Sequence, residues 1–403
     1  MLNSWKKTSS KTGSGNLTLT SWIYGLFLII VTAIYWLLPK TLRTHLLLAA
    51  SVVFVSYASP YFALLLFCLS SLAFFAGKIV RERRLWLIIG IGIPISILIY
   101  FKYQPLIKQI MSFWGGEITF SPTNLAIPLG ISFFTFKLIH YLVDSYQGKQ
   151  SPGGYGQFLL YMFFFPILPS GPIERWQNFA AQDKDARYFR WEYICDGVSR
   201  VIIGLFKKLV IADTMAIYAE NLHAAGLSSM VYWIAAYAYA VQIYFDFSGY
   251  SDIAIGSARL LGYRIMENFD YPYFKRNLSL FWKSWHMSLT AWFRDYVFIP
   301  LGGSRVSFKR IVLNTLIVMG LTGLWHGAAL HFMAWGLYHG AGLIILRLYS
   351  KYISNKLPQA WQSSKLAGIF STFLTFNYVV AGWVFFATNF KQSIYILQKL
   401  LFF

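Results

Sequence analysis

The most informative stretch of the sequence runs from residue 46 to residue 77 and reads LLLAASVVFVSYASPYFALLLFCLSSLAFFAG. It contains no Asp, Glu, Lys or Arg, and Pro60 lies near its middle. A helix needs roughly 20 apolar residues to cross the hydrocarbon layer of a bilayer. Proline disrupts a helix interior but is accepted in the first turn of a helix. The stretch therefore predicts two membrane helices, the second of which begins near Pro60.

Further stretches without formal charge follow the same pattern along the chain. They cover residues 16–39, 224–245, 311–346 and 366–390. The run at 16–39 follows a basic N-terminus but shows no small-residue cleavage site, so it predicts a retained helix. We predict an all-α polytopic membrane protein with roughly 10–12 membrane helices. Residues 1–20 form a polar N-terminal tail, and 21–403 a single transmembrane domain.

Composition agrees with this interpretation. Hydrophobic residues make up 57% of the 403 residues and charged residues only 12%, against about 25% charged in soluble domains. The formal net charge is +20, but the basic residues lie mainly in short connections such as 78–84. Basic short loops indicate the cytoplasmic side of a membrane and favour anionic lipid headgroups. We therefore predict a multi-pass protein of the cell (inner, cytoplasmic) membrane. We expect it to contact membrane lipids and not to bind nucleic acid.

Two apolar segments are interrupted or short. The segment near 124–143 contains Pro128 and Gly130, and the segment 158–168 is too short to span and ends in Pro-Ser-Gly-Pro at 169–172. Such segments predict re-entrant elements, whose irregular backbone must be covered by protein or water. Residues 182–200 predict a surface loop or interfacial helix, and 392–403 a short amphipathic helix.

Three histidines lie in the uncharged run 311–346, namely His326, His331 and His339. Ionisable groups inside a membrane are costly and usually mark function, and a desolvated histidine stays neutral and can accept a proton. A structural alternative is that each ring hydrogen-bonds a neighbouring helix. His326 is the strongest candidate, because Gly323 and Gly327 beside it allow a backbone or ligand to approach closely.

A metal site is not predicted. The offsets of five and eight residues between these histidines do not align on one helix face as an offset of four does. The sequence has no His-Glu-x-x-His motif, and Cys68 and Cys195 lie far apart without zinc spacing. The serine hydrolase elbow Gly-x-Ser-x-Gly and the phosphate-binding loop Gly-x-x-x-x-Gly-Lys-Ser/Thr are also absent.

Two more stretches combine polar and apolar residues. In residues 281–296, Trp285, Leu289, Trp292 and Tyr296 recur at helical spacing with His286 beside them. This pattern predicts one amphipathic helix, either at the membrane interface or beside a reactive site.

Asp246 and Asp252 follow directly on the apolar run 224–245. They could shape a polar cavity, or they could form buried ion pairs with Arg259 and Arg264 that fix helix packing. The sequence leaves both interpretations open.

Several ordered motifs together resemble the membrane-bound O-acyltransferase family, in particular its bacterial branch of alginate O-acetylation and teichoic acid D-alanyl transfer proteins. The matching segments are IPLGISFFTF (127–136), FPILPSGPI (165–173), FDFSGYSD (245–252), WKSWHMSL (282–289), WFRDY (292–296) and GLWHG (323–327). The resemblance implies many helices around a central funnel, a catalytic His326, and His286 as a second residue of the site. The other candidate substrate-binding residues in these motifs are Trp285, Trp325, Asp246, Asp252 and Ser170.

The resemblance implies transfer of an acyl group, acetyl or D-alanyl, from a cytoplasmic thioester donor to a hydroxyl of an extracytoplasmic cell-envelope polysaccharide or teichoic acid. The donor is acetyl-CoA or an acyl-phosphopantetheine carrier protein, which is small and acidic, and we expect no tightly bound cofactor. Residues 245–252 and 299–303 look like acetylation members, whereas SGPIER (170–175) looks like D-alanyl members. An extracytoplasmic acyltransferase could act as a partner.

Two other functions compete with acyl transfer. Many membrane helices, a re-entrant segment and intramembrane polar residues also suit a transporter or flippase for a polymer or lipid precursor, although no inverted repeat is evident. A non-catalytic scaffold for a partner transferase is the second alternative.

Overall fold

A computed structural model describes residues 18–113, 128, 130–149, 153–182, 188–358 and 363–401. Most of the predicted polar tail, residues 1–17, lies outside these ranges, as do 124–127 and 129 of the first interrupted segment and 183–187 of the predicted loop. Within the described ranges the regular secondary structure is helical. The one β-type pairing in these ranges is an isolated bridge between Phe269 and Trp285. The predicted all-α class is confirmed.

The α-helices are numbered here in chain order. They are α1 (Trp22–Leu37), α2 (Lys40–Ala58), α3 (Pro60–Ile79), α4 (Leu85–Phe113), α5 (Ile131–Tyr146), α6 (Tyr155–Phe163), α7 (Trp176–Gln182), α8 (Trp191–Leu205), α9 (Asp213–Ala219), α10 (Ser229–Leu260), α11 (Leu278–Ser284), α12 (Met287–Phe293), α13 (Phe308–His326), α14 (Leu330–Tyr352), α15 (Lys365–Ala387) and α16 (Phe390–Leu401). Two π-helical segments, Phe206–Ala212 and Arg294–Phe298, continue α8 and α12.

Five helices among the described residues are long and apolar enough to cross a membrane. They are Lys40–Ala58, Pro60–Ile79, Leu85–Gln104, Phe308–His326 and Lys365–Ala387. The predicted total of roughly 10–12 also requires helices outside this set, such as the 16-residue α1 and the more polar α10 and α14. That total stays a prediction, whereas the polytopic character is confirmed.

The chain divides into two compact units. The first unit comprises residues 1–205 and 249–266, and the second comprises 206–248 and 267–403. The long helix α10 contributes its first part to the second unit and its last part to the first. The predicted single domain over 21–403 is not tested by this division and stays a prediction.

The first unit has an aromatic core. Pro60 occupies the first turn of α3 as predicted, and α2 and α3 pack together there. The α5 helix begins after Gly130, whose φ of 70° lies in the left-handed region and whose added Cβ would meet the Leu168 carbonyl oxygen at 2.7 Å. The backbone leaves the helical conformation at Phe164, directly after α6. Residues 164–168 are buried in the aromatic core of the first unit. Irregular backbone in an apolar setting must be covered by protein or water, and here protein covers it.

The second unit is built on the hairpin of α13 and α14. Helix α14 also packs against α15 and α11, and the amphipathic α16 folds back against α15. The predicted C-terminal helix is thereby confirmed. Helices α13 and α14 approach each other at glycines: a Cβ on Gly323 would lie 2.2 Å from the Phe332 carbonyl oxygen, and one on Gly336 would lie 2.1 Å from that of Met319. Small residues at such positions let helix backbones come into direct contact.

Candidate active site

The His326 ring lies at the end of α13, where the hairpin turns through residues 327–329 into α14. Its side chain is partly buried among aromatic rings. The ring centroid lies 4.8 Å from Trp325, 5.2 Å from Trp335 and 5.0 Å from Phe386, all edge-on. Trp335 belongs to α14 and Phe386 to α15, so three helices of the second unit fix the position of this imidazole.

The glycines beside His326 have a packing role. Gly323 brings the α14 backbone against α13, and a Cβ on Gly327 would lie 2.2 Å from the Phe332 ring. The predicted close approach is therefore an approach of protein groups. It holds the turn that carries His326 tightly against the start of α14.

His286 lies between α11 and α12, where the predicted continuous helix over 281–296 is wrong. The backbone of His286 has φ 44° and ψ 55°, a left-handed conformation that interrupts the helix. Three contacts impose the break: the Asp270 amide donates to Ser284, the Met287 amide donates to Asn268, and Phe269 forms its bridge with Trp285. Helical spacing alone does not reveal such a tertiary pairing.

The His286 side chain is 2% exposed. Its ring centroid lies 4.6 Å from Phe247 and 5.8 Å from Trp325. Within the described part of the chain, neither ring nitrogen has a hydrogen-bond partner. Burial lowers the pKa of His286 to about 3, because the charged form loses its hydration. The ring is therefore neutral near pH 7, with one nitrogen able to donate and one able to accept.

Trp325 links the two histidines. Its indole contacts the rings of both His286 and His326, with centroid distances of 5.8 Å and 4.8 Å. Trp285 lies in the same aromatic cluster of the second unit, 4.8 Å from Trp383, which itself stacks on Trp335 at 5.6 Å. Four of the sequence-predicted site residues, Trp285, His286, Trp325 and His326, thus share one aromatic cluster.

Comparison with known proteins connects this cluster to a family. The model of the MBOAT, membrane-bound O-acyltransferase family matches residues 17–386, which includes both histidines. The chain belongs to the membrane-bound O-acyltransferase family. It is accordingly a multi-pass membrane O-acyltransferase, as the resemblance of its motifs implies.

Three relatives of this chain are each named for a different acyl-transfer activity. A probable alginate O-acetylase of Pseudomonas aeruginosa is 35% identical over 94% of this chain and 73% of its own length. A peptidoglycan O-acetyltransferase of Helicobacter pylori is 34% identical over 78% of this chain and 64% of its own length. A teichoic acid D-alanyltransferase of Bacillus subtilis is 32% identical over 66% of this chain and 70% of its own length.

The two carboxylates of the Asp246–Asp252 motif of this acyltransferase form buried ion pairs, but with other partners than predicted. In the second unit Lys208 donates to Asp246 at 2.8 Å and also to Asp213. In the first unit Arg200 donates to Asp252 at 2.6 Å. The predicted pairing with Arg259 and Arg264 is therefore wrong.

The physical reason for these pairings lies in the helix faces. In the first unit Gly204 approaches Gly249 and Ile253 so closely that an added Cβ would lie 2.7 Å from the Gly249 carbonyl oxygen. This close approach of α8 and α10 brings Arg200 to Asp252. Arg259 lies further along α10 and instead pairs with Asp196 at 3.0 Å.

Asp252 and Ser170 belong to the first unit, so their role in binding substrate stays a prediction, as does the role of Asp246. His331 donates a hydrogen bond from Nδ1 to the Phe385 carbonyl oxygen at 2.8 Å, which requires the Nδ1–H tautomer and confirms the interpretation that it bonds a neighbouring helix. For His339 that interpretation is wrong within the described residues, because neither ring nitrogen has a hydrogen-bond partner.

Sequence reasoning missed Trp335, Trp383 and Phe386 as neighbours of the histidines and Lys208 as the partner of Asp246. Trp335 lies one helical turn before His339 in the uncharged run, and this spacing places both on one face of α14. That signal could have found Trp335. Among the described residues, no three His, Cys, Asp or Glu side chains come together in a group that could hold a metal ion.

The Lys208–Asp246 pair leads to a prediction about stability. The Asp246 side chain is 6% exposed and that of Lys208 is 16% exposed, so Lys208→Met leaves a buried carboxylate without this cation. We expect the free energy of unfolding to fall by about 2 kcal/mol, somewhat less than for a fully buried pair. Thermal denaturation of the purified protein measures the loss. The matched control is Lys309→Met, at an exposed lysine, and equal unfolding midpoints for the two variants would contradict the prediction.

The low pKa of His286 predicts a dependence of stability on pH. The unfolded chain takes up a proton near the ordinary histidine pKa of about 6.5, whereas the folded ring does so only near pH 3. This group therefore leaves the free energy of unfolding unchanged above pH 6.5 and lowers it progressively as the pH falls from 6.5 towards 3. We expect His286→Asn to show a smaller drop in unfolding midpoint between pH 7.5 and 5.0 than the wild type.

Asparagine is chosen at position 286 because it tolerates the left-handed region. The control is His45→Gln, which removes an exposed histidine of α2 and should keep the full wild-type dependence. An unchanged drop in the His286→Asn variant would show that another group titrates.

Proposed function

We propose that this acyltransferase moves an acetyl group from a cytoplasmic thioester donor to a hydroxyl of an extracytoplasmic cell-envelope polysaccharide. The observation that carries the proposal is the pair of histidines that both contact Trp325. His326 is partly exposed, and His286 is buried without a hydrogen-bond partner among the described residues. The names of the alginate and peptidoglycan O-acetyl relatives support the acceptor class.

Two arguments favour acetyl over D-alanyl as the acyl group. The similarity to the alginate relative extends over 94% of the chain, that to the D-alanyl relative over 66%. In addition, the sequence contains no Asp or Glu after Asp295, so the helices whose rings surround His326 offer no carboxylate to a D-alanyl ammonium group. A buried ammonium without a counter-charge is costly, whereas an acetyl methyl group suits an aromatic surface.

In the proposed mechanism His326 acts as the general base. A neutral ring nitrogen accepts the proton of the acceptor hydroxyl while the oxygen attacks the thioester carbonyl carbon. The carbonyl π electrons move to oxygen and form a tetrahedral oxyanion. The oxyanion then collapses, the carbon–sulfur bond breaks, and the thiolate takes the proton from the imidazolium. Because a thiolate is a good leaving group, little acid assistance is required.

His286 serves as the second polar group. Its neutral ring has one N–H, and a donor in a water-poor environment stabilises a developing oxyanion effectively because it does not have to reorient. The ring could equally orient the acceptor hydroxyl. Trp285 and Trp325 would form apolar walls, while Asp246, Asp252 and Ser170 remain candidate substrate-binding residues. An acyl-enzyme is a second route to the same products.

The donor is acetyl-CoA or an acyl-phosphopantetheine carrier, and no tightly bound cofactor is required. The basic short loops fit the cytoplasmic membrane and an acidic carrier protein, and an extracytoplasmic transferase could complete the transfer. A transporter and a non-catalytic scaffold are not favoured, since the relatives are named for O-acetyl and D-alanyl transfer.

Reconstitution in liposomes tests the proposal. The purified protein receives radiolabelled acetyl-CoA or, separately, a D-alanyl carrier protein on one side and a polysaccharide acceptor on the other. We expect label from the acetyl donor in the acceptor polymer as an alkali-labile ester. Transfer from the D-alanyl carrier alone would replace acetyl by D-alanyl in the proposal, and transfer from neither donor with an extracytoplasmic partner present would contradict it.

A further inference from the structure

The first unit contains an open cleft of about 690 Å³ that the acyl transfer chemistry does not use. Its walls are formed by Glu174 and helix α7, the beginning of α8, and the end of α10 with the residues that follow it. The side chains that matter for its charge are Arg190, Arg259, Arg264 and Glu174. Counted over the described lining residues, three arginines and one carboxylate give a net positive charge.

Among the described residues, two of the three arginines have no acidic partner. Arg259 donates through Nε and Nη2 to Asp196 and lies 4.5 Å from the Tyr193 ring. Arg190 and Arg264 are exposed and form no ion pair within the described residues. Arg259 is thus held in place by the protein, and the other two guanidinium groups are available to a ligand.

The backbone that carries Arg264 is fixed before any ligand arrives. The Gln182 side chain accepts from the Arg264 amide at 2.7 Å and donates to the Arg264 carbonyl at 2.9 Å. Two residues further on, the Met266 amide donates to Glu174 at 2.9 Å. Because these hydrogen bonds order the segment in advance, a ligand does not have to order it on binding.

The carboxylate among the described lining residues is buried and hydrogen-bonded to the backbone. Glu174 is 1% exposed, and its two oxygens accept from the Met266 and Arg175 amides. Burial raises the pKa of Glu174, because the charged form loses its hydration. The described part of the cleft therefore presents cationic groups to solvent, while the Glu174 carboxylate faces backbone amides.

We propose that this cleft binds a phosphate-bearing ligand, with Arg190 and Arg264 as its main contacts and the Asp196-paired Arg259 as a third cation of the lining. Guanidinium groups suit phosphate because their planar donors reach two oxygens at once. A phosphate group can come from an anionic phospholipid headgroup or from a soluble phosphorylated cofactor such as an adenine nucleotide. The inference concerns binding alone and does not depend on the proposed acyl transfer.

Binding measurements on the full-length protein test this inference and separate the two sources. Titration calorimetry with adenosine 3′,5′-bisphosphate tests the soluble source, and native mass spectrometry with phosphatidylglycerol against phosphatidylcholine tests the lipid source. We compare the wild type with the double variant Arg190→Gln/Arg264→Gln. Since hydrogen bonds between charged groups are the strong ones, we expect at least about tenfold weaker binding by the double variant to whichever probe the wild type prefers.

The matched control is the double variant Arg83→Gln/Arg84→Gln, which removes two exposed arginines elsewhere in the first unit and should bind like the wild type. A third variant, Gln182→Met, keeps the arginines but loses the bonds to Arg264, and we expect an intermediate affinity. Equal unfolding midpoints show that all variants are folded. If the cleft variant binds both probes as well as the control does, or if the wild type binds neither, the inference is wrong.

Discussion

Replacing His326 by alanine is expected to lower the rate of acyl transfer by about 10²–10⁴-fold, the usual contribution of a positioned general base. The donor should still bind, because the imidazole acts on the acceptor hydroxyl in the proposed mechanism. The fall should therefore appear in kcat and much less in the KM for the thioester. Radiolabel transfer in liposomes, measured over a range of donor concentrations, gives both parameters.

The control for His326→Ala is His331→Gln in the same uncharged run. His331 hydrogen-bonds the Phe385 carbonyl at 2.8 Å, so its loss should lower stability slightly and leave kcat within about tenfold of wild type. The unfolding midpoints of both variants establish that they are folded. Equal kcat in His326→Ala and wild type would remove His326 from the chemistry.

Gly336→Val is expected to destabilise the second unit by about 3 kcal/mol or more, at the upper end of overpacking effects. Even a Cβ at this position would lie 2.1 Å from the Met319 carbonyl oxygen. Backbone cannot rotate away as a flexible side chain can, so α13 and α14 must separate. Because His326 lies on α13 and its neighbour Trp335 on α14, we expect acyl transfer to be lost together with stability.

The same hairpin offers a matched control at Gly320, one turn before Gly323. The nearest atom to a Cβ at that position is Leu337 Cδ2 at 3.8 Å, an ordinary van der Waals contact. Gly320→Ala should therefore keep full activity and raise stability slightly, since alanine is the better helix former by about 1 kcal/mol. Thermal denaturation and the transfer assay decide between the two outcomes. Unimpaired Gly336→Val would show that the hairpin tolerates separation.

The helices of the first unit could be predicted from sequence because their determinants are local. An uncharged run fixes the approximate length of a membrane helix, and Pro60 in the middle of such a run fixes where the second helix begins. The amphipathic pattern near the C-terminus likewise predicted α16. In each case the property lies within about 20 neighbouring residues.

The candidate site was harder to predict because tertiary contacts decide its details. The break at His286 results from hydrogen bonds to residues 268–270, and helical periodicity in 281–296 contains no trace of them. The partners of the two aspartates depend on which helices approach α10, so Arg200 and Lys208 could not be recognised from charge spacing. The motifs identified His286 and His326, but their shared contact with Trp325 required the structure.

The left-handed backbone of His286 implies a trade-off between stability and activity. A residue with a Cβ in this region is disfavoured by about 1–2 kcal/mol, and the buried imidazole adds polar atoms that lack hydrogen bonds in the described structure. Glycine at position 286 would remove both the backbone strain and the buried polar atoms. Selection for heat resistance alone is therefore expected to replace His286. If thermostable variants of this acyltransferase are selected without an activity screen, some should be inactive because they are altered at this position.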